Sequence, residues 1–289
     1  MDVDLQDARE KLRWAKKHFE DLRAGIEPFE ARDAHRIWCE VDEEAGRYDF
    51  YVSGLQSPDP NWGLMIGDCL HNARTALDYV MVRLVSVITG EDPIDIDWVQ
   101  FPIYDDPKRL DGATAGLKKN LALRGYVARI EELQPFNARN PSIWGIDAHD
   151  PPLPVALERL SLLDNIDKHR VVHATWNGIR AFSVRDVEAP SDFTFTGGGT
   201  ILDPLKDGAK VGEWFFDTPL PSRWAPTEVQ MKRHFPLQVA FPDPLPVQGV
   251  LDILPRCLWA VEAVIAIFDP VFNGKPPLPV TAVGASKLG

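Results

Sequence analysis

Two stretches of this chain hold polar side chains at helical spacing and in types that can do chemistry. The first reads Gly67-Asp68-Cys69-Leu70-His71-Asn72-Ala73-Arg74-Thr75-Ala76-Leu77-Asp78. At about 100° per residue, Asp68, His71, Arg74, Thr75 and Asp78 share one face, and Cys69, Leu70, Ala73, Ala76, Leu77 and Val80 share the other. Leu64 lies one turn before this stripe, and Val82 and Val85 follow it at similar angles. A solvent-facing stripe stays polar along its helix. One bounded by apolar residues is the pattern of side chains enclosed by the fold, where charges must pair or hydrogen-bond to offset desolvation.

The second stretch reads Leu163-Asp164-Asn165-Ile166-Asp167-Lys168-His169-Arg170-Val171-Val172-His173. Asn165, His169 and His173 recur every four residues and share a face; Asp164, Asp167, Lys168 and Val171 share another. His71 and His169 are candidate general acids or bases, with Asp68, Asp78 or Asp164 to orient a ring. Arg74, Lys168 and Arg170 are candidates to hold an anion through charge-assisted hydrogen bonds, with Asn165 beside them as a ligand-binding amide. His169 and His173 also have the spacing that brings two imidazoles to one metal, with Asp68, His71 or Asp78 as further ligands. The segment reads His-Arg-Val-Val-His, without the glutamate of HExxH, so histidines satisfied within the fold are favoured and no metal or cofactor is assigned. Both stretches have a plainer alternative as ion-pair locks between helices.

Other signatures are weak. No Rossmann fingerprint, GxSxG elbow or kinase set occurs, and Gly197-Gly198-Gly199 lacks the GxxxxGK[ST] pattern, so it is expected to be a turn. The 289-residue chain carries 43 Asp plus Glu against 31 Lys plus Arg, a net charge of −12. Its basic residues cluster only as pairs, as at Lys16-Lys17 and Lys232-Arg233, which disfavours broad nucleic-acid or anionic-membrane binding. Cys39, Cys69 and Cys257 are scattered among apolar neighbours without CxxC spacing, the usage of a reducing compartment. The charged N-terminal stretch has no apolar h-region, and the apolar run near 258–268 is too short to span a bilayer. A cytoplasmic protein without a membrane partner is expected.

The elements that must position the two stretches can be read from periodicity. Leu5, Ala8, Leu12, Ala15, Phe19 and Leu22 mark an amphipathic helix over 5–26. Two β-rich runs, 35–41 and 47–52, form a hairpin. A long helix over 61–88, with Asn61 as its cap and Gly90 as its stop, carries the first polar stretch. Shorter helices fit 105–134, a Pro-, Asn- and Asp-rich loop fits 135–154, and a helix over 155–176 carries the second stretch. Short alternating runs punctuated by Gly and Pro make 178–246 β-rich. A last helix follows over 247–268, with Pro255 bending it, and a Pro-rich tail closes the chain.

Both stretches resemble the motifs of a family of uncharacterised bacterial proteins, common in actinobacteria. Its members carry Gly-Asp-x-x-His-Asn-x-Arg-x-Ala-Leu-Asp and a later Asn-x-Asp-Lys-His-Arg, here Gly67 to Asp78 and Asn165 to Arg170. The likeness extends loosely over most of the chain, implies that both constellations recur together, and supplies no activity. A more distant comparison is with helical HEPN domains, some of which are ribonucleases using an Arg, four to six residues and a His. Only Arg13 and His18 have that spacing, and they lie outside both stretches.

The expected fold is therefore α+β: a helical bundle lobe with an N-terminal β-hairpin over 1–177, a β-rich antiparallel insertion over 178–246, a helix returning to the helical lobe over 247–273, and a tail over 274–289. The expected function is a polar pocket between the second and fourth helices that binds or hydrolyses a small anionic or phosphorylated ligand. The alternative is a non-enzymatic interaction protein in which both polar motifs are structural.

Overall fold

A computed structural model describes residues 4–31, 36–42, 44–90, 99–119, 123–140, 153–169, 175–177, 195–200, 204–216, 238–240 and 249–282, with 92 and 143 as isolated positions. The elements are α1 (Gln6–Glu30), β1 (Arg36–Asp42), β2 (Arg47–Ser53), α2 (Asn61–Thr89), α3 (Pro107–Lys119), α4 (Arg124–Glu132), α5 (Leu153–His169), β3 (Thr175–Asn177), β4 (Phe195–Thr200), β5 (Pro204–Leu205), β6 (Lys210–Phe216), β7 (Gln238–Ala240) and α6 (Val250–Phe268). Helix dominates and the strands pair antiparallel, an α+β composition. Two compact units are present, one of residues 1–21, 64–171 and 253–289 and the other of residues 22–63 and 172–252. No helix among the described residues is long and apolar enough to cross a membrane.

In the first unit, α1 buries Ala8, Leu12, Ala15 and Phe19, and Leu5 just before it is also buried, the spacing that periodicity predicts. α2 buries Cys69, Leu70, Ala73, Ala76, Leu77 and Val80, the whole apolar face opposite its polar stripe. α1 is tied to α6 by Lys16 and Glu262, whose Nζ and Oε2 are 2.8 Å apart, and by Arg9 and Asp269; it is tied to α2 by Asp7 and Arg83. Cys69 and Cys257 are free and buried, and burial pushes both thiols up, that of Cys257 to about 12 against the pull of Arg159. Such thiols are inert. The side chain of Cys39 lies outside the described residues.

Two helix boundaries differ from expectation for local reasons. Asn61 is not the cap of α2; the Asp59 carboxylate accepts the Asn61 N–H at 2.9 Å, and Pro60 follows the cap where its missing N–H is not needed. At the far end Gly90, with φ +77°, closes the helix as expected. α5 is described over Leu153–His169 and residues 170–174 lie outside the described residues, but the predicted end at Trp176 is not helical, because Trp176 lies in β3, paired with Leu205 and Val239. α6 runs continuously through Pro255.

The second unit holds two sheets, ordered β1-β2-β6-β4 and β5-β3-β7. The predicted hairpin forms, with Trp38 opposite Tyr51 and their rings stacked at 4.6 Å. Its second strand also pairs with β6, so the hairpin shares a sheet with the later strands. Tyr48, Phe50 and Val52 alternate inward. Across the other face, Asp49 Oδ1 meets Arg47 Nε at 3.0 Å and Lys210 Nζ at 2.8 Å. Gly197, Gly198 and Gly199 are not a turn; they pair with Phe215, Trp214 and Glu213 inside β4, held by a backbone ladder that needs no side chain. The runs 179–184 and 229–231, read as strands, lie outside the described residues.

Candidate functional site

The candidate site lies within the first unit, where α2 and α5 bring the two polar stretches together. Asp164 of α5 is the junction. Its side chain is 3% exposed, its Oδ2 is 2.7 Å from Lys168 Nζ, and its Oδ1 is 3.7 Å from Nδ1 of His71 on α2. The first contact is a close i,i+4 ion pair. The second is beyond hydrogen-bond length and acts through the field of the carboxylate. His71 itself is 62% exposed. One turn toward the start of α2, Gly67 meets Asp167, whose carboxylate lies against the helix backbone.

A second cluster sits one turn further along α2. Arg74 Nη2 is 3.1 Å from Asp78 Oδ1 and donates to the Phe101 carbonyl at 2.7 Å, while the Phe101 N–H donates to Asp78 Oδ1 at 2.9 Å. The Arg74 side chain is 12% exposed, and its Nη1 is buried without a hydrogen-bond partner among the described residues. Burial pushes the Asp78 carboxyl above its ordinary value, against the Arg74 guanidinium, the Phe101 N–H and the more distant Lys168; the Asp164 carboxylate adds to the rise. Asp78 thus feels Asp164 and Lys168 of α5, the pair that faces His71.

The segment that supplies Phe101 is anchored at its other end by Gln134, which is fully buried. Its Nε2 donates to the Pro102 carbonyl at 3.0 Å and the Ile130 carbonyl at 2.9 Å, and its Oε1 accepts the Tyr104 N–H at 2.9 Å. Every hydrogen-bonding atom of the amide is engaged, as burial requires.

The expected site residues therefore divide. His71, Asp164 and Lys168 meet at one carboxylate, and Arg74 and Asp78 meet at Phe101. Asp68 and Asn165 are exposed on their helices, and the Asp68 carbonyl accepts from Asn72 Nδ2 at 2.8 Å. His169 closes α5, with its side chain outside the described residues, and Arg170 and His173 lie outside them entirely. Leu64, read as an apolar bound of the stripe, is 59% exposed, so the stripe is open at that end. Among the described residues no group of three His, Cys, Asp or Glu side chains is placed to hold a metal. Arg13, with the HEPN-like spacing to His18, pairs with Glu10 on the surface of α1.

Two participants carried little sequence signal. Phe101 takes part through its backbone, which any residue type supplies. Gly67 takes part by lacking a side chain, and the only hint was a glycine inside a long helix. No protein-family model, curated protein or solved structure matches the chain.

Proposed function

We propose that the chain is a cytoplasmic protein that binds a small anionic or phosphorylated ligand where α2 meets α5 and hydrolyses it, with His71 as the proton-transfer group. One observation carries this reading: an exposed imidazole whose Nδ1 faces a carboxylate that is itself almost completely buried. A carboxylate at Nδ1 favours the proton on that nitrogen and keeps Nε2 as the basic atom. That is the arrangement in which an imidazole takes a proton from water. The 3.7 Å separation has to close by about 0.7 Å to become a hydrogen bond, a tightening typical of catalytic contacts when ligand arrives.

Lys168 supplies the anion-holding charge. An ammonium has three donors, and this half-exposed side chain commits to Asp164 while retaining donors for ligand oxygens. Asn165 and Arg170 are proposed as further ligand-holding groups, and His169 as a second proton-transfer group. Asp68 is proposed to act from the exposed side of α2. Arg74 and Asp78 support the site from within.

The test is a titration with inorganic phosphate, followed by the imidazole resonances of His71. A saturable shift in the natural chain, lost in Lys168→Met, is expected; a flat titration overturns the binding. Phosphomonoester hydrolysis should fall by about 10²–10⁴-fold in His71→Ala.

The second reading, a non-enzymatic interaction protein with both polar motifs structural, is favoured by the engagement of Arg74 and Asp78 with the backbone of Phe101. Large losses of thermal stability in both His71→Ala and His169→Ala would support it, because removing one member of a buried polar network strands the others.

A further inference from the structure

We propose that Gly67 is a positioning residue, whose bare Cα leaves room for Asp167 and so sets the register in which Asp164 faces His71, an inference that rests on the role given to His71 above. A Cβ on Gly67 would lie 2.6 and 2.7 Å from the two carboxylate oxygens of Asp167 and 2.8 Å from its Cγ, closer than real Cβ atoms come. The bare Cα therefore admits the Asp167 carboxylate against α2. Glycine is the poorest helix former apart from proline, and Gly67 sits in the interior of a 29-residue helix. The close approach explains why that position carries it.

The contact is one turn from the site on both helices. Gly67 precedes His71 by four residues and Asp167 follows Asp164 by three, so each pair shares a helix face. Two contacts a turn apart fix both the separation of two helices and their axial register. A methyl group at Gly67 meets only the carboxylate end of Asp167; on this proposal that side chain does not rotate aside, and the adjacent turn of α5 moves with it. Because the His71 Nδ1 to Asp164 Oδ1 distance is already 3.7 Å, further opening removes the hold of Asp164 on the ring.

The experiment reads which imidazole nitrogen of His71 carries the proton, from two-bond nitrogen–proton correlations of the ¹⁵N-labelled full chain above the imidazole titration range, without ligand. A carboxylate facing Nδ1 keeps the proton there, whereas release from it removes that preference. The natural chain is expected in the Nδ1–H form. Gly67→Ala should lose that form, and the double variant Gly67→Ala with Asp167→Ala, in which the clash is gone, should regain it. A contact that merely stabilised the fold would lower the unfolding temperature and leave the tautomer unchanged.

The proposal is overturned by a natural chain in the Nε2–H form, by a folded Gly67→Ala that keeps the Nδ1–H form, or by a double variant that does not regain it. Should Gly67→Ala alone not fold, the double variant decides: folded with Nδ1–H upholds the proposal, and unfolded or Nε2–H ends it. The readout needs no phosphate. Absent phosphate binding with an intact Nδ1–H pattern would therefore sink the functional reading and leave this one standing.

Discussion

His71 and Arg74 are three residues apart on the polar stripe of α2, and their surroundings are opposite. Arg74 is folded into the protein, with its guanidinium on the Phe101 carbonyl and beside Asp78. His71 stands largely in solvent with a buried carboxylate behind it. The difference comes from outside the helix, because an irregular segment crosses α2 at Arg74 and Asp78, while α5 brings only a carboxylate to His71. A charge whose donors meet backbone groups serves the fold. A titratable ring that is mostly exposed and electrostatically backed keeps its outer nitrogen available.

The contrast makes graded predictions. The largest effect belongs to Arg74→Ala, which strands the Asp78 carboxylate in a desolvated place; urea unfolding should show a loss of about 3–5 kcal/mol. Lys168→Met removes the close partner of the buried Asp164 and should cost about 2 kcal/mol in the same measurement. A smaller effect, visible as a slope, concerns Asp78. Its carboxyl titrates above the ordinary 3.8 in the folded chain, so the folded state holds this proton to higher pH than the unfolded state does. The stability that this proton confers is present below 3.8 and lost as pH rises through the folded value. Unfolding midpoints compared across the acid range should show that decline in the natural chain and not in Asp78→Asn. The smallest effect is expected from His71→Ala, within about 0.5 kcal/mol, because the ring is mostly exposed. A loss comparable to that of Arg74→Ala would erase the contrast and move His71 into the structural group.

Much of the helical unit was legible because burial there follows period. The apolar faces of α1 and α2 are those that spacing dictates, and the pairing of Asp164 with Lys168 is an i,i+4 relation within one helix. Contacts set by distant chain segments were not legible. Nothing in Arg74 or Asp78 announces Phe101, and nothing in the hairpin announces β6. The second polar stretch predicts a helix through Trp176, yet Trp176 is claimed by strand partners 29 and 63 residues away. Glycines carried little signal for one reason, since they are recognised by what they lack. Gly197 to Gly199 read as a turn and form a ladder, and Gly67 opens the first polar stretch without announcing that the Asp167 carboxylate lies against it.

The stretch from Phe101 to Tyr104 belongs to no helix or strand, yet its polar backbone is held at both ends. The Phe101 N–H donates to Asp78 and its carbonyl accepts from Arg74 on α2, while the Pro102 carbonyl accepts from the Gln134 amide and the Tyr104 N–H donates to it. Such a segment behaves as a tendon: slack in sequence, taut in place, and able to pass strain from the end of α4 to the middle of α2. Solvent hydrogen exchange at the Phe101 and Tyr104 amides should accordingly be slow and should rise together when either anchor is cut.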